Sequence, residues 1–230
     1  MSNFVRLGVA AAAILAIAVL TFTLLPRDNV GTPSGPSLTV TPSPTPEPFP
    51  SGDVSTGGRY LVQLSHVPLD AAMTLDPGWT SGGWYISGPQ GAVAFFSPEN
   101  VNRDACRQEQ TLPNPAIGPS VEDFLVAMDA QANSDMTPPV AVSIGGLTAQ
   151  RIELRPSRGA PCGQVRWWKE FCCGEPEYRG ADTGDDNPDT VWVVDVEGRR
   201  VAVVGYWDHS QPADGRAIED IVRSIEFVHR

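Results

Sequence analysis

The chain has 230 residues and is acidic, with 27 Asp and Glu against 16 Lys and Arg for a formal net charge of −11. A chain of this charge offers no basic footprint for a phosphate backbone, so nucleic acid is excluded as an expected partner. Its 22 prolines and 4 cysteines are unevenly placed, and that placement divides the chain.

Residues 1–6 form a short tail before LGVAAAAILAIAVLTFTLL, Leu7 to Leu25, which carries no charge. At about 1.5 Å per residue this run spans about 28 Å, close to a hydrocarbon core of about 30 Å, and reads as one transmembrane signal anchor. A cleaved signal peptide is the competing reading. Its apolar region would be shorter and followed by small residues, whereas the exit here is TLLPRDN, with no A-x-A pattern and no cysteine to take a lipid. Arg6 and the amino terminus precede the span, and Arg27 after it sits beside Asp28. The positive-inside rule therefore tips the tail toward the cytoplasm and the rest of the chain outward. The expected location is the cell membrane, crossed once, with an extracytoplasmic C-terminal domain.

From Pro26 to Gly58 proline alternates with Ser and Thr, as in TPSPTPEPFP. So little apolar surface cannot offset the entropy of ordering, and a disordered, extended spacer is expected.

Arg59 to Arg230 is long enough for one domain with a core of its own. Short runs rich in β-branched and aromatic residues predict strands at RYLVQLS, GWYISG, GAVAFFS, AVSIGG, TAQRIELR, QVRWW, TVWVVDV and RRVAVVGYW. Glu197-Gly198 between the last two predicts a tight hairpin turn. SVEDFLVAMDAQ predicts a helix capped by Ser120 with Asp123 three residues on, its apolar face carrying Val121, Phe124, Leu125 and Met128. PADGRAIEDIVRSI predicts a second, with Ile218, Ile221, Val222 and Ile225 on one stripe, and a short strand SIEFV follows it. Strands with two or more covering helices make the fold class α+β with an antiparallel sheet.

The order of PGW (Pro77 to Trp79), a helix, VSIGGLTAQRIEL, a hairpin, a helix and SIEF resembles the Mog1p/PsbP-like fold. Within it the chain is most similar to a family of actinobacterial-type membrane-anchored ectodomains and lipoproteins, over most of Tyr60 to Val228. No catalytic motif comes with the likeness, which implies a fold and no activity.

All four cysteines fall in the domain, at Cys106, Cys162, Cys172 and Cys173, and an even count outside the cytoplasm reads as disulfides. The resemblance implies a Cys106–Cys162 pair, which would close a long loop worth about 4 kcal/mol in the chain-entropy model. Cys172 and Cys173 are additions to the family pattern. Neighbouring Cα atoms lie about 3.8 Å apart, below the roughly 4.4–6.8 Å that disulfides favour, so a bond between them would be strained and reducible. A two-bridge staple tying each neighbour to Cys106 or Cys162 stands beside that arrangement, as does a redox-responsive pair. The C-x-x-C spacing of a zinc or thioredoxin-like site is absent.

Asp208-His209-Ser210 holds the residue types of a hydrolase triad, but consecutive residues cannot face one another as a triad must. Asp182, Asp185, Asp186 and Asp189 make an acidic loop that offers either a weak calcium site or a solvated hairpin end, without EF-hand order. No catalytic, cofactor-binding or metal residue is assigned. Among the 6 tryptophans, adjacent Trp167 and Trp168 should point to opposite faces of a strand. With Trp84 they form the candidate binding surface. The reading that follows is a membrane-tethered extracytoplasmic domain that binds or senses an envelope ligand or protein. An envelope glycan- or peptide-acting enzyme and a Cys172/Cys173 redox module are the alternatives.

Overall fold

The computed structural model describes residues 45–50, 52–64, 68–107, 112–172, 175–182 and 187–229, the side chains of 171–176 excepted. The expected tail (1–6) and membrane anchor (7–25), Cys173, Asp185 and Asp186 lie outside these residues, as does the side chain of Cys172. No helix among the described residues is long and apolar enough to cross a membrane.

In chain order the first strands are β1 (Glu47–Pro48), β2 (Gly58–Gln63) and β3 (Leu69–Leu75). Next come β4 (Thr80–Ser81), β5 (Tyr85–Gly88), β6 (Gly91–Phe96) and β7 (Asn100–Val101). Helix α1 (Val121–Asp129) leads to β8 (Ser134–Met136), β9 (Val140–Ile144) and β10 (Leu147–Pro156). The hairpin β11 (Trp168–Cys172) and β12 (Glu175–Arg179) precedes a second hairpin, β13 (Asp189–Val196) and β14 (Arg199–Tyr206). Helix α2 (Pro212–Ser224) and β15 (Glu226–His229) close the chain.

Among the described residues these strands form three sheets. A central sheet runs β4-β5-β6-β14-β13-β10-β8, with β9 on β10; a second runs β1-β2-β3-β15 and a small third β12-β11-β7. Pairing is antiparallel throughout except between β1 and β2. The architecture is α+β with mostly antiparallel sheets and two helices, as the sequence predicts.

Both faces of the central sheet are buried, which explains why its strands read as continuous apolar runs instead of alternating ones. On β13, Trp192 and Val194 face one core while Val191 and Val193 face the other. The first core is closed by Tyr60, Val62, Met73 and Leu75 of the second sheet and by Ile218, Ile221 and Val222 of α2. The second is closed by Phe124, Leu125 and Met128 of α1 together with Trp167 and Trp168. The β13–β14 turn is the two-residue one expected: Glu197 and Gly198 have φ of 54° and 77°, as a type I′ turn requires.

Two departures from the sequence reading bear on function. The predicted spacer ends earlier than Gly58. Phe49 donates its N–H to the Leu61 carbonyl and packs on Tyr60 at 5.9 Å, and Val54 is buried, so residues 45–50 and 52–58 belong to the folded unit. The strand LDAAMTL (β3) is absent from the sequence reading. Its Ala and Met favour helix locally, but pairing with β2 on one side and β15 on the other overrides that preference.

Candidate functional site

The Cys106–Cys162 disulfide joins the turn after β7 to the loop before β11, across a sequence separation of 56. The pair implied by the family resemblance is therefore present. Cys172 pairs through its backbone with Glu175 at the end of β11.

The expected tryptophan surface does not form. Trp167 and Trp168 are each 1 % exposed. The predicted strand QVRWW starts later than expected, at Trp168. Trp168 is registered opposite Arg179, and the Trp167 N–H also donates to the Arg179 carbonyl at 2.7 Å. Two residues thus face one, the arrangement of a β-bulge, and the two-residue alternation changes phase between them. Both indoles turn inward and stack on each other at 6.1 Å. Trp84 is half-buried, with its ring against Tyr85 and Phe96 and its face covered by the Arg179 guanidinium at 4.7 Å. Trp167 and Trp168 thus offer no open indole face to a sugar ring or a peptide, and the Arg179 guanidinium takes one face of Trp84.

That guanidinium belongs to a polar cluster around the buried Glu170. Arg179 donates from Nε to Glu170 Oε1 at 2.8 Å and from Nη2 to Glu177, and the Ser97 N–H donates to Glu170 Oε2 at 3.2 Å. Each oxygen of Glu170 thus has a donor from the protein, which fixes the side chain in place as part of the structure.

The Asp208-His209-Ser210 run is a turn. Asp208 accepts from the Ser210 N–H at 2.8 Å, and the hydrogen bonds from Ser210 hold its carboxyl below the usual carboxylate range. His209 stacks on Trp207 with ring centroids 4.5 Å apart. In the acidic loop, Asp182 accepts from Gln164 Nε2 at 2.7 Å while Asp189 opens β13 opposite Leu154. No cluster of His, Cys, Asp and Glu suited to a metal ion occurs among the described residues.

What lies open is a recess of about 390 Å³ beside α1, lined by Glu122, Leu125, Val126, Asp129, Met136, Pro138, Pro139 and Gln150. Its wall is built firmly from both sides. Ser120 caps α1 by accepting the Asp123 N–H at 3.0 Å, and Asp123 accepts the Ser120 N–H at 3.1 Å, the reciprocal box expected from the sequence. The Ser120 hydroxyl, donating to Asp123 Oδ2 at 2.6 Å, and then the Ser120 N–H hold the Asp123 carboxyl below its ordinary range. Arg200 secures the same end of the helix, donating to the carbonyls of Pro98 (2.7 Å), Gly118 (2.9 Å) and Ser120 (3.0 Å). On the other side Met136 is registered opposite Leu154, and the Thr137 N–H donates to the Glu153 carbonyl at 3.0 Å. Sequence reasoning missed this recess. The available signal was Val126, an apolar residue off the buried stripe of α1, with Glu122 four residues before it and Asp129 three after.

A larger recess of about 680 Å³ runs along Pro48, Phe49, Pro50, Leu61, Gln63, Ser81 and Gly83. Among the described residues its polar lining is Gln63 and Ser81, with no charged side chain.

No family model matches the sequence, and no curated protein does. Among solved structures the chain is similar to cyanobacterial PsbP (CyanoP) from Synechocystis sp. PCC 6803. The likeness to that solution structure has a TM-score of 0.38 at 9% identity, covering 76% of this chain and 94% of that one.

Proposed function

We propose that the chain is a membrane-tethered domain displayed outside the cytoplasm, where it binds or senses a component of the cell envelope. The observation that carries this reading is the Cys106–Cys162 disulfide, because such bonds persist in oxidising compartments and are rare in the cytosol. The uncharged run Leu7 to Leu25 and the proline-rich segment after it supply the anchor and the stand-off that such a display needs. Binding is favoured over catalysis because Glu170, Asp182 and Asp208 are held by an ion pair and by local hydrogen bonds, while the recess beside α1 is apolar with a polar rim. The reading places the chain with the anchored Mog1p/PsbP-like ectodomains that its element order resembles.

The test is protease shaving of intact cells that carry the full chain with a C-terminal tag, followed by non-reducing peptide mapping of chain taken from the membrane after thiol alkylation. Loss of the tag to external protease, with Cys106 and Cys162 in one linked peptide, supports the proposal. A protected tag and alkylated Cys106 and Cys162 would place the domain inside and end it. Alkylated Cys172 and Cys173 in an otherwise oxidised domain would replace binding with a redox role.

A further inference from the structure

We propose that the recess between α1 and the Met136–Pro139 segment docks a partner segment carrying apolar side chains between two basic residues. This deepens the reading of the domain as a binding module and does not depend on the tether.

The geometry starts with α1. Glu122, Val126 and Asp129 share one helical face, since residues three and four apart are neighbours there. Val126 is 59% exposed at its middle, and the buried Leu125 lies beneath. An apolar floor with a carboxylate at each end selects for an apolar group between two cations. Neither carboxylate meets a cation among the described residues.

The two acids are not equivalent. Glu122 stands in the first turn, where the positive end of the helix favours an anion, and needs no ligand to account for it. Asp129 stands in the last turn, where the helix already presents its negative end, and α1 has no basic residue there. Helix α2 obeys the rule that α1 breaks: Arg223 occupies its last turn and pairs with Glu219 at 2.8 Å and Asp220 at 2.9 Å. A cation arriving beside Asp129 would relieve that repulsion, which gives the site a reason to prefer a basic partner.

The opposite wall suits a docked chain. Pro138 and Pro139 have fixed φ and no N–H to desolvate, and Met136 is the adaptable apolar side chain of the set. The same charges disfavour other occupants. A two-fold contact between copies would set this acidic rim against itself, and an anionic lipid surface would be repelled by it.

Spacing fixes the probe. Glu122 and Asp129 are about 10 Å apart along the helix axis. In a peptide in the polyproline II conformation, with three residues per turn at about 3.1 Å each, basic residues three apart share one face and lie about 9 Å from each other. The segment is therefore Arg-x-x-Arg with apolar residues at x.

Titration calorimetry would use the full chain in nanodiscs of zwitterionic lipid and capped peptides containing Arg-Leu-Leu-Arg, Glu-Leu-Leu-Glu or Arg-Ser-Ser-Arg. The first should bind saturably at one site, and the other two at least about tenfold more weakly. Glu122→Gln with Asp129→Asn should weaken the first about tenfold and flatten its salt dependence. Val126→Lys should abolish it. All three positions are at the surface, so an unchanged melting temperature separates lost binding from lost folding. Absent binding, equal binding of the three peptides, or unchanged affinity in either variant overturns the proposal. So does affinity lost in Val126→Lys but kept in the charge variant, since that leaves an apolar site without charge recognition. A chain displayed outside that ignores the peptide loses this partner alone; a chain that binds it but resists protease shaving loses only the tether.

Discussion

Arg179 and Glu170 form a salt bridge under the small sheet, with Nε 2.8 Å from Oε1, while the guanidinium face lies 4.8 Å from the Phe96 ring. Glu170 is 1% exposed. Taking one partner from a buried pair strands the other charge, a loss of about 3–5 kcal/mol, whereas replacing both with apolar groups of similar volume is often near neutral. Arg179→Met should therefore destabilise strongly, and Arg179→Met with Glu170→Leu should recover much of the loss in urea unfolding. A single variant as stable as the double would show that the carboxylate is not stranded.

The disulfide closes a long loop that carries much of the second core. Replacing Cys106 and Cys162 by Ser should lower unfolding free energy by about 4 kcal/mol, mainly through the freedom returned to the unfolded chain. Reducing the native domain should shift its midpoint equally. A much smaller shift would mean that the unfolded loop is constrained by other means.

Ser120 fixes the start of α1, and Ser120→Ala should cost about 1 kcal/mol. Asp123 reports on the same cap. Its folded-state pKa is depressed by the Ser120 hydroxyl first and the Ser120 N–H second. The folded state therefore binds this proton less readily than the unfolded chain. The contribution is complete above the ordinary Asp value of about 3.9 and is lost as pH falls through the lowered native value. Carboxyl NMR should show the Asp123 midpoint rising part of the way back in Ser120→Ala, because the backbone donor remains.

Arg200 offers a related test from the far side of the helix. Its guanidinium is nearly buried and lies 5.2 Å from the Phe124 ring while bonding three carbonyls. Arg200→Met removes the donor to the Pro98 and Gly118 carbonyls, at about 1–3 kcal/mol for each one that stays buried, while the Ser120 carbonyl keeps the Phe124 N–H at 3.3 Å. Faster amide exchange through α1 is expected, with the β13–β14 hairpin largely unchanged.

Two glycines at positive φ should behave differently. A Cβ on Gly91, at φ 139°, would lie 2.0 Å from the Tyr206 carbonyl oxygen, while Gly146, at φ 78°, has nothing within 4 Å of that position. Gly146→Ala should cost about 1–2 kcal/mol from backbone conformation alone. Gly91→Ala adds a clash with backbone that only a shift between β6 and β14 can relieve, and should cost clearly more in thermal unfolding. Equal effects would sink this reading of the close approach.

The sequence by itself determined most of the local architecture, because those features depend on neighbours in the chain. Helical spacing marked α1 and α2, Ser120 and Asp123 marked a cap, and Glu197-Gly198 marked a turn that needs two positive φ angles. Tertiary structure decided whatever depends on distant partners. LDAAMTL is a strand because β2 and β15 flank it, against the helical preference of its alanines and methionine. Trp167 and Trp168 both face inward because Arg179 is opposed by two residues, so the expected binding face is core. The recess beside α1 was hidden for the same reason. Val126, Met136 and Pro139 come together only when β8 pairs with β10 behind the helix, and no periodicity in one segment records the meeting of two.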